Sequence, residues 1–310
     1  MYLDGAVALD PGASARVRIA LLPVGATSAP RFQQHAAMLA AGRAIPLAAL
    51  DRDMLPGASS PAFPCQAGKW ENGELLLEWV DGTGLEENPW DAFLVHRGVL
   101  AVVGVCHCPE NPDLMHAWEV FLSDVQSSPV CRGALSVHCL ALDPLPEHTL
   151  LTGGPVGYTL HVVPREAGAK EEAIGEVLGT LGAELLRGLE QKVLQAESHP
   201  PQLLTPNDGG SDLDTQVLAK RSAGRALKRQ GDLCLLAACP LDASLYHHLA
   251  AEACRGNGDL LWLAGALCGL ACASSIAPPP LSKIKKTTVK PPSLSSFASS
   301  DIGGSMGGSG

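Results

Sequence analysis

The sequence predicts an α/β protein: a mixed sheet of about five strands with flanking helices, followed by a short α-helical segment of tetratricopeptide-like solenoid type. Three observations carry this reading. Val99–Cys106 (VLAVVGVC) is apolar on both parities, the pattern of a central strand covered on two faces. Between residues 16 and 197, apolar strand-like runs alternate with stretches of helical period, which favours a layered α/β architecture. From Arg225 to Ala273, three short helical stretches follow one another, cut by Cys239-Pro240 and by Gly256-Asn257-Gly258.

Residues 1–15 are rich in Gly, Ala and Pro and are expected to be flexible. Val17–Val24 is β-branched and apolar, a strand, and Pro30–Arg43 follows as a helix with Phe32, Ala36 and Leu39/Ala40 on one stripe. A Pro/Ser-rich loop runs to about Lys69 before a second strand at Gly73–Val80 and the central strand at Val99–Cys106. Asn111-Pro112-Asp113 then opens a helix, with Asn111 as the capping side chain, Pro112 in the first turn and Asp113 facing the positive end of the dipole. Leu114, Trp118, Phe121/Leu122 and Val125 form its buried stripe.

Ala134–Leu142 and Tyr158–Val163 are two further strands. The neighbouring pairs 73–80 with 99–106, and 134–142 with 158–163, are taken to make the sheet mixed. Glu171–Ala196 is a long helix whose four glycines (Gly175, Gly179, Gly182, Gly188) each cost roughly 1 kcal/mol relative to Ala, so packing must hold it. Domain bounds follow: 16–197 for the sheet domain, 198–214 for a polar linker, 215–274 for the helical segment and 275–310 for a Pro/Ser/Gly-rich disordered tail.

In the helical segment, Gly231 sits where a helix-turn-helix repeat needs a small residue for close approach, and His247 fills a large-residue slot. One repeat and the first helix of the next are present. Leu260, Leu261, Trp262, Leu263, Leu267 and Leu270 cover most of the last helix, so it is expected to seek a covering partner.

With 22 Lys plus Arg against 32 Asp plus Glu, a net charge of −10 argues against a nucleic-acid binder. There is no secretory signal pattern and no apolar run of the ~20 residues that span a bilayer, so any membrane contact is expected to be peripheral. The ten cysteines lack framework spacing and read as reduced thiols.

No nucleophile elbow, phosphate loop or dinucleotide fingerprint is present, so no catalytic or cofactor-binding residues are assigned. Cys106-His107-Cys108, with Cys131 and His138-Cys139, is the nearest approach to a zinc set. Its Cys-x-Cys spacing lacks the turn that aims two sulfurs at one ion, so these read as structural cysteines and no metal is assigned. His247 and His248, about 100° apart on a helix, cannot chelate together.

The candidate binding residues are Lys220, Arg221, Arg225, Lys228 and Arg229, a basic stripe in an acidic chain, together with Leu260, Trp262 and Leu267 of the last helix. The stripe suits an acidic partner surface or anionic lipid; its alternative is a solvated face.

VVGVCHCP (102–109), GDLCLLA (231–237) and LLWLAGAL (260–267), with RIALLPVG (18–25) and WENGELLLEWV (70–80) in the same order, resemble the N-terminal region of the NIK- and IKKβ-binding protein family of large TRAPP II subunits. The resemblance covers roughly Arg16–Ala273. It departs at Cys239-Pro240, at Tyr246-His247-His248 and at Cys268, and family members continue far beyond this length. It implies a non-catalytic scaffold of a Golgi vesicle tether, cytoplasmic and peripheral at the trans-Golgi network. The implied partners are other TRAPP subunits and, through the whole complex, a Rab-family GTPase. The competing classes are a stand-alone enzyme using Cys106 or His107, and a repeat adaptor unrelated to tethering.

Overall fold

A computed structural model describes residues 12–57, 59–66, 70–148, 158–198, 202–208 and 215–277. Most of the stretches expected to be a flexible N-terminus (1–11) and a disordered tail (278–310), with 199–201 and 209–214 of the expected linker, lie outside the described residues. Residues Ala13–Ala15 form a single 3-10 turn whose Ala15 is buried in the core.

Among the described residues, six strands make one sheet: β1 (Arg16–Pro23), β2 (Ala44–Pro46), β3 (Glu74–Asp81), β4 (Val99–His107), β5 (Ser136–Leu142) and β6 (Tyr158–Val163), in the order β2-β3-β1-β4-β5-β6. The sheet is mixed, but not for the reason the sequence suggested. β3 and β4 do not pair; β1 lies between them and is parallel to both, and β5 and β6 are also parallel. The links 82–98 and 143–157 are long enough to carry the chain back across the sheet, whereas antiparallel neighbours need only a short hairpin. The antiparallel member is β2, a three-residue edge strand hidden in the Pro/Ser-rich loop, where Ile45 faces Leu75. Pro46 is tolerated there because an edge strand leaves one side of its ladder unpaired.

Leaving aside that edge strand, the order is that of a doubly wound sheet, with helices on both faces. Helix α1 (Ala29–Ala40) and the long α3 (Ala167–Ser198) cover one face, packing Phe32, Leu39, Leu181, Leu185 and Leu189 against Ile19, Val103, Val105 and Leu140. Helix α2 (Leu114–Ser127) covers the other, where Trp118 and Phe121 meet Ala20, Val102, Cys106 and Cys139. Every residue of β4 is buried, as its two-sided apolar pattern requires. The cap of α2 is Asp113, whose Oδ1 accepts from His116 N at 3.0 Å. Asn111 is used elsewhere: its Oδ1 accepts from Ala26 N and its Nδ2 donates to the His107 carbonyl. Two residues closer to the first turn, Asp113 reaches the orphan amides that Asn111 cannot.

The chain then enters α4 (Thr215–Leu236), α5 (Pro240–Gly256) and α6 (Leu260–Ile276). The basic helix and the first repeat helix are one continuous α4, because nothing between Gly224 and Gly231 breaks the ladder. Three-residue turns join the helices; Ala238 takes a left-handed φ of 56° in the first and Gly258 one of 66° in the second. Leu227, Leu233 and Leu236 of α4 share a core with Val95, Leu100 and Leu189. α4 also packs against the 3-10 turns at 13–15 and 95–97, so it crosses beside the starts of β1 and β4.

Candidate functional site

The basic stripe of α4 does not stay on one solvated face. Arg225 and Lys228 are only 2% and 4% exposed. Arg225 holds Asp208 in a two-pronged pair, Nη1–Oδ2 at 2.8 Å and Nη2–Oδ1 at 2.9 Å. Its Nε donates to Asp259 Oδ2 at 2.7 Å, and its guanidinium lies 5.1 Å from the centre of the Trp262 ring. Burial would raise the Asp208 carboxyl, but hydrogen bonds from Arg225 and from Thr205 outweigh it and hold the group at about 2. Lys228 donates to Asp232 Oδ2 at 2.7 Å and to the Phe93 carbonyl, with its ammonium 4.5 Å from the Phe93 ring centre.

These cations are internal ties between α4, the 202–208 segment, the start of α6 and the 90–94 loop. The expectation of a single exposed stripe is therefore corrected at Arg225 and Lys228, where local aspartates make burial affordable only as ion pairs. Lys220 is exposed, and Arg221 is half-buried with its Nε unpartnered among the described residues. Trp262 is fully buried against Phe93, which corrects its placement on an open surface, while Leu260 and Leu267 are 71% and 45% exposed.

Arg229 faces a different way. With Lys192 of α3 it lines a cavity of about 800 Å³ bounded by Leu85, Val130, the starts of β1 and β4, and Arg18 and Arg97. Arg18 is occupied, donating to Glu78 Oε2 at 3.2 Å and to the Arg97 carbonyl at 2.9 Å. Arg229 and Lys192 make no hydrogen bond or ion pair among the described residues. Both titrate lower than usual: Lys192 through burial and then Arg229, and Arg229 through burial, with Asp232 opposing. Two half-buried like charges with no ion pair of their own among the described residues raise the local potential and favour an anionic group between them. Asp91, which also lines the cavity, is pushed up by burial, and Glu86 and Glu87 of the lining are exposed. Sequence reasoning missed Lys192, because only the apolar stripe of α3 carries a periodic signal.

The family model described as Trs120/TRAPPC9, N-terminal domain, matches residues 8–221, more than half of the chain. The chain belongs to this family. A trafficking protein particle complex II-specific subunit 120 homolog of Oryza sativa subsp. japonica is 36% identical over 273 residues, covering 86% of this chain and 22% of its own length. Its Arabidopsis thaliana namesake is 35% identical over 261 residues, with 83% and 21% covered. Trafficking protein particle complex subunit 9 of Homo sapiens is 27% identical over 198 residues, covering 62% of this chain and 17% of its own length. The chain thus spans about a fifth of the length of these Trs120/TRAPPC9 relatives.

The cysteine and histidine constellation of this family member is divided by the sheet. Cys106 and Cys139 join Cys108 and Cys131 in the core under α2. Successive strand residues point to opposite faces, so His138 lies on the other side. There its Nε2 meets Ser136 Oγ at 2.7 Å and Glu184 Oε2 at 3.1 Å, while its Nδ1 faces His161 Nε2 at 2.8 Å. His247 and His248 also separate: His247 is buried between Gly231 and Gly269, whereas His248 is exposed beside Glu252. Among the described residues no helix is long and apolar enough to cross a membrane.

Proposed function

We propose that this chain acts as a non-catalytic scaffold portion of a TRAPP II-type subunit, and that the cavity holding Arg229 and Lys192 receives an acidic segment of a neighbouring subunit. Family membership supports the first part, since the relatives named above are complex subunits by name. The observation that carries the second is the pair of cations without an ion pair of their own in a cavity of about 800 Å³. A carboxylate from a partner would supply a paired counter-charge in a half-buried site, where such pairs are stronger than on an open surface.

In this reading the sheet part (16–197) receives the partner and the helical part (215–274) continues towards further repeats, with 198–214 between them. Lys220, Arg221, Leu260 and Leu267 form the outer contacts. The role follows the complex: Golgi and trans-Golgi vesicle traffic, peripheral membrane attachment, and Rab-family nucleotide exchange performed by the assembly rather than by this chain.

Charge reversal tests the docking. Arg229→Glu with Lys192→Glu should weaken capture of the other TRAPP subunits by purified chain at least tenfold, and the wild-type interaction should weaken with added salt. Reversing exposed Lys220 alone should matter less. Undiminished capture by the double variant, with its fold intact by circular dichroism, would remove the cavity from the interface.

A further inference from the structure

Away from the cavity, at the carboxyl ends of the parallel strands, three side chains from separate elements converge. His107 is the last residue of β4 and shares the parity of Val103 and Val105, so it turns towards α1. His35 lies on the buried stripe of α1, between Phe32 and Leu39. Asp143 follows β5 directly, beside His107, whose register partner is Leu142. It adopts a left-handed φ of 56°, a conformation that non-glycine residues hold only when their surroundings require it. Among the described residues these are the three His, Cys or acidic groups whose donor atoms come together in this way.

We propose that His35, His107 and Asp143 bind a divalent metal ion of the zinc type, through three protein ligands with a fourth position open.

The distances distinguish coordination from ordinary hydrogen bonding. His35 Nε2 lies 3.4 Å from His107 Nδ1 and 3.9 Å from Asp143 Oδ2, and His107 Nδ1 lies 3.5 Å from Asp143 Oδ2. All three exceed the ~2.7–3.2 Å of a well-formed N–H···O or N–H···N bond. They match the edges of a ligand shell: the circle through the three atoms has a radius of about 2.1 Å, the length of a Zn–N or Zn–O bond. An ion equidistant from the three would lie close to their plane, leaving a position free for water or an outside donor.

The surroundings fit. Both imidazoles are buried, whereas the Asp143 side chain is 32% exposed and opens the site on one side. Burial, then Lys170, push the His35 imidazole below its usual titration range, with Asp143 opposing; metal ligation uses the neutral ring. The backbone of His107 is fixed on both sides, its N–H donating to Thr27 Oγ1 at 3.0 Å and its carbonyl accepting from Asn111 Nδ2 at 3.0 Å. Such outer contacts orient ligands. The site also lies where α1 and α2 leave β1 and β4 for opposite faces, the edge at which doubly wound sheets bind ligands.

The test is metal uptake by the full chain. Protein stripped with a chelator and dialysed would be titrated with Zn²⁺ against a chromophoric competitor. One equivalent should bind, and Asp143→Asn and His35→Gln should each weaken it at least roughly tenfold. His161→Gln, in the separate histidine cluster, should leave it unchanged. Asn tolerates the left-handed region, so the metal-free melting temperature of Asp143→Asn serves as the folding control. Absence of uptake would show that the three groups pair directly and overturn the proposal. So would binding that survives both ligand variants, or binding that His161→Gln abolishes.

Discussion

β4 and α4 are both interior elements, and they are buried by opposite chemistry. β4 places nine consecutive residues inside, dominated by Val, Leu and Ala. α4 places Arg225, Lys228, Gln230 and Asp232 inside beside Ala226 and Leu227. Burial of the strand follows from its own composition. Burial of the helix is conditional, since each charge is tolerable only while Asp208, Asp259, Asp232 or the Phe93 carbonyl sits within reach. An apolar interior should therefore lose stability in proportion to the atoms removed, and a charged one disproportionately.

The largest expected effect tests this contrast directly. Arg225→Ala leaves two buried aspartates without their cation and should cost about 3–5 kcal/mol, read from the urea unfolding midpoint. Val103→Ala in the β4 region should cost about 2 kcal/mol. Removing Asp259 in the Arg225→Ala background should then cost much less than in the wild type, because its partner has already gone. Additive losses would mean that the two groups are solvated rather than paired.

A smaller effect separates the regions by pH. The Asp208 carboxyl is held at about 2, below its ordinary 3.8, so its contribution is complete above 3.8 and is lost as the pH falls towards 2. The stability gap between wild type and Asp208→Asn should be constant above about pH 5 and close across that acid window. The sheet side responds earlier. Burial lowers His161 to about 4, with His138 adding to the shift, so the unfolded chain takes up a proton first and stability falls between pH 6.5 and 4. His96 is lowered to about 4 by burial as well, so His161→Gln should make that limb shallower by one group's share without altering the one set by Asp208.

The same contrast explains what was legible in the sequence. Strand and helix positions in the sheet layers follow apolar period, so β1, β4, β6 and the stripe of α2 stand in the sequence almost as they do in the fold. Pairing was not legible: period says that Gly73–Val80 is a strand, but not that β1 inserts between it and β4. Three-residue β2 is too short to show any period. On α4, helical spacing puts Arg225 and Arg229 one turn apart. It cannot reveal that Asp208 and Asp259, before and after in the chain, pull one inside while the other faces a cavity. The grouping of His35, His107 and Asp143 was hidden for the same reason: His107 stands out only beside Cys106 and Cys108, His35 and Asp143 are unremarkable in their own segments, and only the β4–β5 register and the crossing of α1 join the three.

The smallest effects concern glycines, which the sequence treats alike and the structure does not. In α6, a Cβ on Gly269 would lie 2.3 Å from the His247 ring, and in α4 one on Gly231 would lie 2.8 Å from it. The imidazole is thus clasped between two helices at points where only hydrogen fits. Gly269→Ala should cost about 1–3 kcal/mol through overpacking, despite the helix preference for Ala. Gly175 in α3 has nothing within 4 Å of its would-be Cβ. There propensity acts alone, and Gly175→Ala should stabilise by about 1 kcal/mol. Thermal unfolding of the two variants should shift in opposite directions. Repeating Gly269→Ala in a His247→Ala background decides the cause. With the ring removed, the new methyl group enters space the ring vacated, and the substitution should turn neutral or stabilising. If it stays destabilising without the imidazole, the close approach of α5 to α6 is set by backbone packing and not by the clasped histidine.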